Sequence, residues 1–155
     1  MKINLKQELT KQWFKNLQEI ICKNIEEIEN NKIFFKSKRW LKNSNKDEGG
    51  GESKILENGK IFDKVGVNFS EVYGKFPNEM KGKIPGTKKN TNFWASGISI
   101  VMHMKNPNVP AMHFNTRYIN TSHGWFGGGI DVTPCFKDEK QKKWLQIRLK
   151  TMCNR

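Results

Sequence analysis

The chain has 155 residues, with 28 Lys and Arg against 15 Asp and Glu, a formal net charge of +13 and 35% hydrophobic residues. That is one domain's worth of chain with a thin apolar supply; no run approaches the ~20 apolar residues of a membrane span, and the N-terminus lacks the apolar stretch of a secretory signal. Cys22, Cys135 and Cys153 have no CxxC spacing and are odd in number, which argues against a disulfide framework and for a reducing, cytoplasmic setting. The basic residues are mostly lysines dispersed among Asn and Ile, without the signature of an RNA-recognition motif, zinc finger or helix-turn-helix, so neither a nucleic acid nor a membrane is the expected partner.

In chain order, Leu5, Leu9, Trp13, Leu17, Ile20, Ile21, Ile25 and Ile28 recur at helical spacing and predict an amphipathic helix over 5–28, its apolar stripe destined for a core or a dimer surface. Residues 36–51 are polar and charged and read as a mobile connector. Residues 53–57 and 60–72 read as strands joined at Asn58-Gly59, a strong hairpin signal. In the second, Ile61, Val65, Val67 and Phe69 are apolar, and Asn68 falls on the face of Lys60, Phe62 and Lys64. Residues 76–92 contain Pro77, Gly82, Pro85 and Gly86 and predict an irregular connection with one helical turn.

Strand alternation governs 93–104 and 112–118. It puts Ser99, Val101 and His103 on one face of the first, opposite Ile98, Ile100, Met102 and Met104. In the second, His113, Asn115 and Arg117 share a face opposite Met112, Phe114 and Tyr118. The turn-forming residues of 105–110, including Pro107 and Pro110, link the two as an antiparallel hairpin. In a suitable register, Ser99, His103, His113, Asn115 and Arg117 make one polar patch. Residues 137–152 predict a terminal helix with Trp144, Leu145 and Ile147 on its apolar side.

That patch has a chemistry. Arg117 offers a planar, permanently charged fork suited to a carboxylate. Asn115 and Ser99 can hydrogen-bond a polar ligand, and His113 or His103 can give or take a proton. Gly127-Gly128-Gly129 reads either as a bulge or turn or as bare backbone against which a flat ligand lies. Asp131 can accept hydrogen bonds from ligand N–H groups. His103, His113 and His123 are evenly spaced, but Thr121-Ser122-His123-Gly124 reads as an exposed turn, which disfavours a three-histidine zinc site.

Long ordered blocks carry a family resemblance. They are Trp40, Gly49-Gly50-Gly51-Glu52-Ser53, the run from Gly59 to Ser70, Gly97-Ile98-Ser99, His103, Asn106-Pro107 with Pro110, His113-Phe114-Asn115-Thr116-Arg117-Tyr118, Trp125-Phe126-Gly127-Gly128-Gly129, Asp131 and Thr133-Pro134. From about Trp13 to Cys153 the chain resembles the oxygen-dependent coproporphyrinogen III oxidases, and residues 1–155 read as the N-terminal portion of such a domain. The resemblance implies an α+β fold, a large flat antiparallel sheet flanked by helices, assembled as a homodimer. It implies oxidative decarboxylation of two propionates of coproporphyrinogen III to vinyl groups, giving protoporphyrinogen IX in haem biosynthesis, with molecular oxygen as co-substrate and no organic cofactor. By position it makes His113 the proton donor and Asp131 an acid engaging pyrrole N–H groups. Ser99, Asn115, Thr116 and Arg117 match substrate-binding positions, and His103 and His113 match divalent-metal ligands of some members. It also places the segment containing Gly49–Gly51 near the substrate, as either a closing flap or a solvated linker.

Departures from the family pattern accompany these matches. Members extend well past this chain and carry, soon after the Thr-Pro, a helix with histidines facing the site; here Lys142-Lys143-Trp144-Leu145-Gln146-Ile147 has none, and no histidine follows His123. Met104 replaces a usual proline, Lys42 a usual arginine, and the Gly49–Gly51 run is short. The expectation is a truncated or decaying copy, or one half of a split gene that pairs with a complementary C-terminal fragment. The alternative to an active enzyme is an inactive remnant that binds porphyrinogen or a partner chain.

Overall fold

The computed structural model describes residues 4–154. Helix α1 (Leu5–Ile28) is followed by strands β1 (Lys36–Leu41), β2 (Gly49–Glu57), β3 (Phe62–Lys75), β4 (Asn92–Met104), β5 (Ala111–Asn120) and β6 (Gly124–Thr133), then helix α2 (Glu139–Cys153). The strands form one antiparallel sheet in sequential order, β1-β2-β3-β4-β5-β6. The fold is therefore α+β, as the alternation and the resemblance both imply. A single 3₁₀ turn at Asn78–Met80 is the helical turn expected in the β3–β4 connection.

α1 starts where Asn4 and Gln7 cap each other, each side chain bonded to the other's backbone N–H at 2.9 and 2.8 Å. It ends at Asn30 and Asn31, both in the left-handed region that asparagine tolerates. The span matches the periodicity, and the inward face matches in part: Ile25 is buried, and Leu17 and Ile21 pack against the core. Gln7, Thr10, Phe14, Gln18, Cys22 and Ile25 are buried, whereas Leu5, Leu9, Trp13, Ile20 and Ile28 are about half exposed or more. The reason lies in the sheet. Gln18 Nε2 donates to the carbonyls of Glu52 and Val67, both at 2.9 Å, so an amide outcompetes the apolar stripe for the central contact.

Below it the core gathers Phe14, Cys22 and Ile25 with Leu56, Phe62, Val65, Val67, Phe69, Trp94, Ile98, Ile100 and Tyr118. A register shift between Phe62 and Lys64 turns Phe62 into this core, away from the face of Lys64 and Asn68 that simple alternation assigns it. Glu29 clamps the end of α1 to the β2–β3 loop by accepting from the backbone N–H groups of Lys60, Ile61 and Phe62 at 2.6–2.8 Å. Burial opposes its ionisation, yet these three donors outweigh that and hold its carboxyl below the ordinary range. Gly59 is required there, because a Cβ would stand 2.4 Å from the Glu29 carboxylate.

Two sequence expectations need correction. Residues 36–51 are not a mobile connector: they supply β1, the β1–β2 turn and the start of β2. Tyr73 donates to Asp47, and Lys42 bridges Glu48 (3.3 Å) and the Tyr73 carbonyl (3.0 Å), pinning that turn to β3. The bond to the Asp47 carboxylate pushes the Tyr73 phenol up to about 12. Nor does the triple glycine make a turn or bulge; it runs straight through β6 in regular register with β5. Finally, α1 packs on one sheet face only, and α2 buries no residue.

Candidate functional site

The register decides which predicted residues meet. Across the sheet, Ser53 on β2 stands opposite Asn68 on β3, Asn68 opposite Ser99 on β4, Ser99 opposite Asn115 on β5, and Asn115 opposite Gly129 on β6. One row over, Gly66, Val101, His113 and Asp131 align; on the other side Ser70, Gly97, Arg117 and Gly127 align. All lie on the face away from α1, because their neighbours along each strand (Val67, Ile98, Ile100) are the ones in the core. Ser99, His113, Asn115, Arg117 and Asp131 are thus gathered on one uncovered face.

Contacts tie them together. Ser99 Oγ lies 3.4 Å from His113 Nε2. Arg117 Nη2 donates to Asn115 Oδ1 at 3.2 Å. Asp131, directly across the β5–β6 ladder from His113, accepts from Thr133 at 3.1 Å. Arg117 is exposed and makes no ion pair among the described residues, which leaves its guanidinium edge open to an external carboxylate. A Cβ added at Gly66, Gly127 or Gly129 would meet nothing within 4 Å. Packing does not demand glycine at these three positions; their effect is a bare, flat floor beside the polar groups.

Thr116 lies elsewhere. It pairs with Ile98 and Gly128 and shares the parity of Phe114 and Tyr118, on the α1 side of β5. His103 faces the open side near the end of β4, opposite Lys64. His123 sits in the β5–β6 turn against Trp125, at the far end of the strand from His113. No three His, Cys, Asp or Glu side chains among the described residues come close enough to hold a metal ion. His103, His113 and Asp131 therefore do not fit a closed metal site by themselves. Cys22 is no nucleophile either: burial pushes its thiol up to about 12.

Sequence reasoning missed a further cluster on the same face. Trp40 Nε1 donates to Asn68 Oδ1 at 3.0 Å, and Ser53 Oγ donates to the same oxygen at 2.8 Å. The Trp40 indole reaches it by lying over Gly51, where a Cβ would come within 2.6 Å of the ring. The even-residue parity of Asn68 was the available signal. Two concavities, of about 440 and 360 Å³, lie away from these groups, at the start of α2 and between Tyr73, Trp94 and Asn120. Neither concavity is lined by the polar groups of the open face.

Known proteins resemble this chain over nearly its whole length. A family model described as coproporphyrinogen III oxidase matches residues 9–155. A protein of Rickettsia akari (strain Hartford) named oxygen-dependent coproporphyrinogen-III oxidase is 43% identical over 159 residues, covering 100% of this chain and 57% of the relative. Proteins of the same name from Rickettsia bellii (strain RML369-C) and Rickettsia prowazekii (strain Madrid E) are each 42% identical, over 96% of this chain and 54% of their own length. The chain spans about half the length of the curated relatives it matches.

Proposed function

The chain belongs to the coproporphyrinogen III oxidase family, and on that premise we propose that its open sheet face binds coproporphyrinogen III and serves its oxygen-dependent oxidative decarboxylation to protoporphyrinogen IX. The observation that carries this reading is the gathering of Arg117, Asn115, Ser99, His113 and Asp131 around a glycine floor on an uncovered face. The ligand is broad and carries several carboxylates. Arg117, steadied by Asn115, reads one of them. Asp131 accepts from pyrrole N–H groups, and His113, beside Ser99, holds or moves a proton at the reacting propionate. Thr116 contributes through the backbone it sets between Asn115 and Arg117. Each propionate loses carbon dioxide and a hydride equivalent to become a vinyl group, and molecular oxygen accepts the two electrons. No organic cofactor and no metal is assigned a step. Three free cysteines fit a cytoplasmic setting.

A second reading has its own support. Phe126 and Ile130 on β6, the edge strand of the sheet among the described residues, and Trp144 and Ile147 on α2, are all exposed. They suit a partner, either a complementary C-terminal fragment or a second copy, that completes the domain before turnover. Among the described residues no helix is long and apolar enough to cross a membrane.

The test is conversion of coproporphyrinogen III by the purified chain, in air and under nitrogen. The oxidase reading expects protoporphyrinogen IX in air only. A folded chain that binds the porphyrinogen but yields no product in air overturns turnover by this chain and leaves the binding reading in place.

A further inference from the structure

Asn68 is the least explained polar group on the open face. The indole N–H of Trp40 can only donate, so the Asn68 atom it meets at 3.0 Å is the carbonyl oxygen, and Ser53 donates to that same oxygen at 2.8 Å. Both donors come from the β1–β2 side. The amide is therefore held with its oxygen toward β2 and its Nδ2 free of it. No protein acceptor for Nδ2 is present among the described residues, and no buried side-chain nitrogen or oxygen among them lacks a partner. The two N–H donors of Asn68 thus open to solvent. Two residues on two neighbouring strands fix the orientation of an amide whose donating half bonds nothing among the described residues.

Its position gives that arrangement a use. Asn68 stands in the row of Ser99 and Asn115, two strands from β5 and two residues off the row of Arg117. Strand spacing and rise put the two positions on the order of 12 Å apart. Gly97 and Ser99 on β4 form the floor between them. Lys38 extends the Asn68 row on β1, opposite Ser53, and makes no ion pair among the described residues. The face carries Arg117 at one end and a held amide backed by a lysine at the other.

We propose that Asn68, held by Trp40 and Ser53, is a second carboxylate-reading residue, engaging a different carboxylate of the ligand that Arg117 binds. The inference rests on the porphyrinogen-binding reading and extends it: the site recognises two separated carboxylates across a broad ligand. Asn68 sets which ligands fit, and Trp40 and Ser53 act through it.

Substitution to aspartate separates this role from a structural one. Asn68→Asp keeps the oxygen that Trp40 and Ser53 bond, and replaces the donor with a negatively charged acceptor. The probe is coproporphyrinogen III itself, a tetracarboxylate, its binding measured by equilibrium dialysis under nitrogen to the wild-type chain, Asn68→Asp, Asn68→Ala, Arg117→Ala and, as a control on α2, Lys143→Ala, with thermal melts of each. Asn68→Asp is expected to weaken binding at least tenfold (the size of a lost hydrogen bond to a charged group, about 1.5 kcal/mol), with a melt within a few degrees of wild type. Asn68→Ala weakens it less, and Lys143→Ala leaves it unchanged. Binding by the wild type that falls with Arg117→Ala but survives Asn68→Asp overturns the inference alone. A folded wild type that does not bind the probe overturns the porphyrinogen reading and this one with it.

Discussion

The two ends of the sheet are built differently. Around β2, β3 and β4, α1 closes over Leu56, Val65, Val67, Phe69, Ile98 and Ile100, and buried polar groups such as Gln18 and Glu29 all find partners. Beyond β5 the side-chain packing stops. β6 buries nothing, Phe126 stays exposed although its ring centroid lies 4.8 Å from that of Tyr118, and α2 has no buried residue. The first end is held by the hydrophobic effect and the second by backbone ladder bonds. The functional groups straddle the boundary: Ser99 stands on the packed end, Asp131 on the bare one. Precision at the site is inherited from β4 and β5, while β6 supplies a thin, side-chain-poor floor.

The largest way to test that contrast is to remove a core ring. Phe14→Ala is expected to cost about 3–5 kcal/mol in urea denaturation, whereas Trp144→Ala on α2 stays within about 0.5 kcal/mol. Equal costs would break the distinction between the two ends. Next in size is the clamp at the end of α1. Glu29→Gln is expected to cost about 2 kcal/mol at pH 7, since charged hydrogen bonds are replaced by weaker ones. Its folded carboxyl titrates below the ordinary 4.5, so its contribution is fully present above that value and is lost as pH falls through the lowered one. The gap between wild type and variant should therefore shrink below about pH 4.5; a gap that widens on acidification contradicts the clamp.

The smallest effect concerns the floor. Gly129→Ala meets open space, so stability should change by under about 1 kcal/mol, toward stabilisation through the unfolded chain. Porphyrinogen binding should nonetheless weaken, because the new methyl stands where the ligand lies. A variant that binds as tightly as wild type removes Gly129 from the ligand surface.

Local rules made part of this legible. The extent of α1, the faces of β4 and β5 and the terminal helix all follow from spacing. The polar part of the inward face of α1 was hidden because periodicity counts apolar side chains and cannot foresee that two sheet carbonyls take the Gln18 amide. β1 was hidden because Lys36, Lys38 and Arg39 read as a solvated run, although Trp40 anchors it to Asn68 across two strands. Of the two readings of the triple glycine, the bulge or turn fails because β5 imposes its register on β6. In the site, parity alone put His113, Asn115 and Arg117 on one face; Thr116 joined the substrate-binding set through the resemblance, and the register places it on the other face. The alignment of Asn68, Ser99 and Asn115 is a property of inter-strand register, which no single segment encodes.

The central claim is that the face away from α1 is the ligand face. It is tested most directly by titrating coproporphyrinogen III, under nitrogen, into the isotope-labelled chain and following its NMR spectrum. The account predicts shifts in the Asn68 and Asn115 side-chain amides, the Arg117 guanidinium and the Gly66, Gly97, Gly127 and Gly129 backbone, with the Gln18 amide and Cys22 unmoved. Shifts centred on α1, or confined to α2, would contradict it.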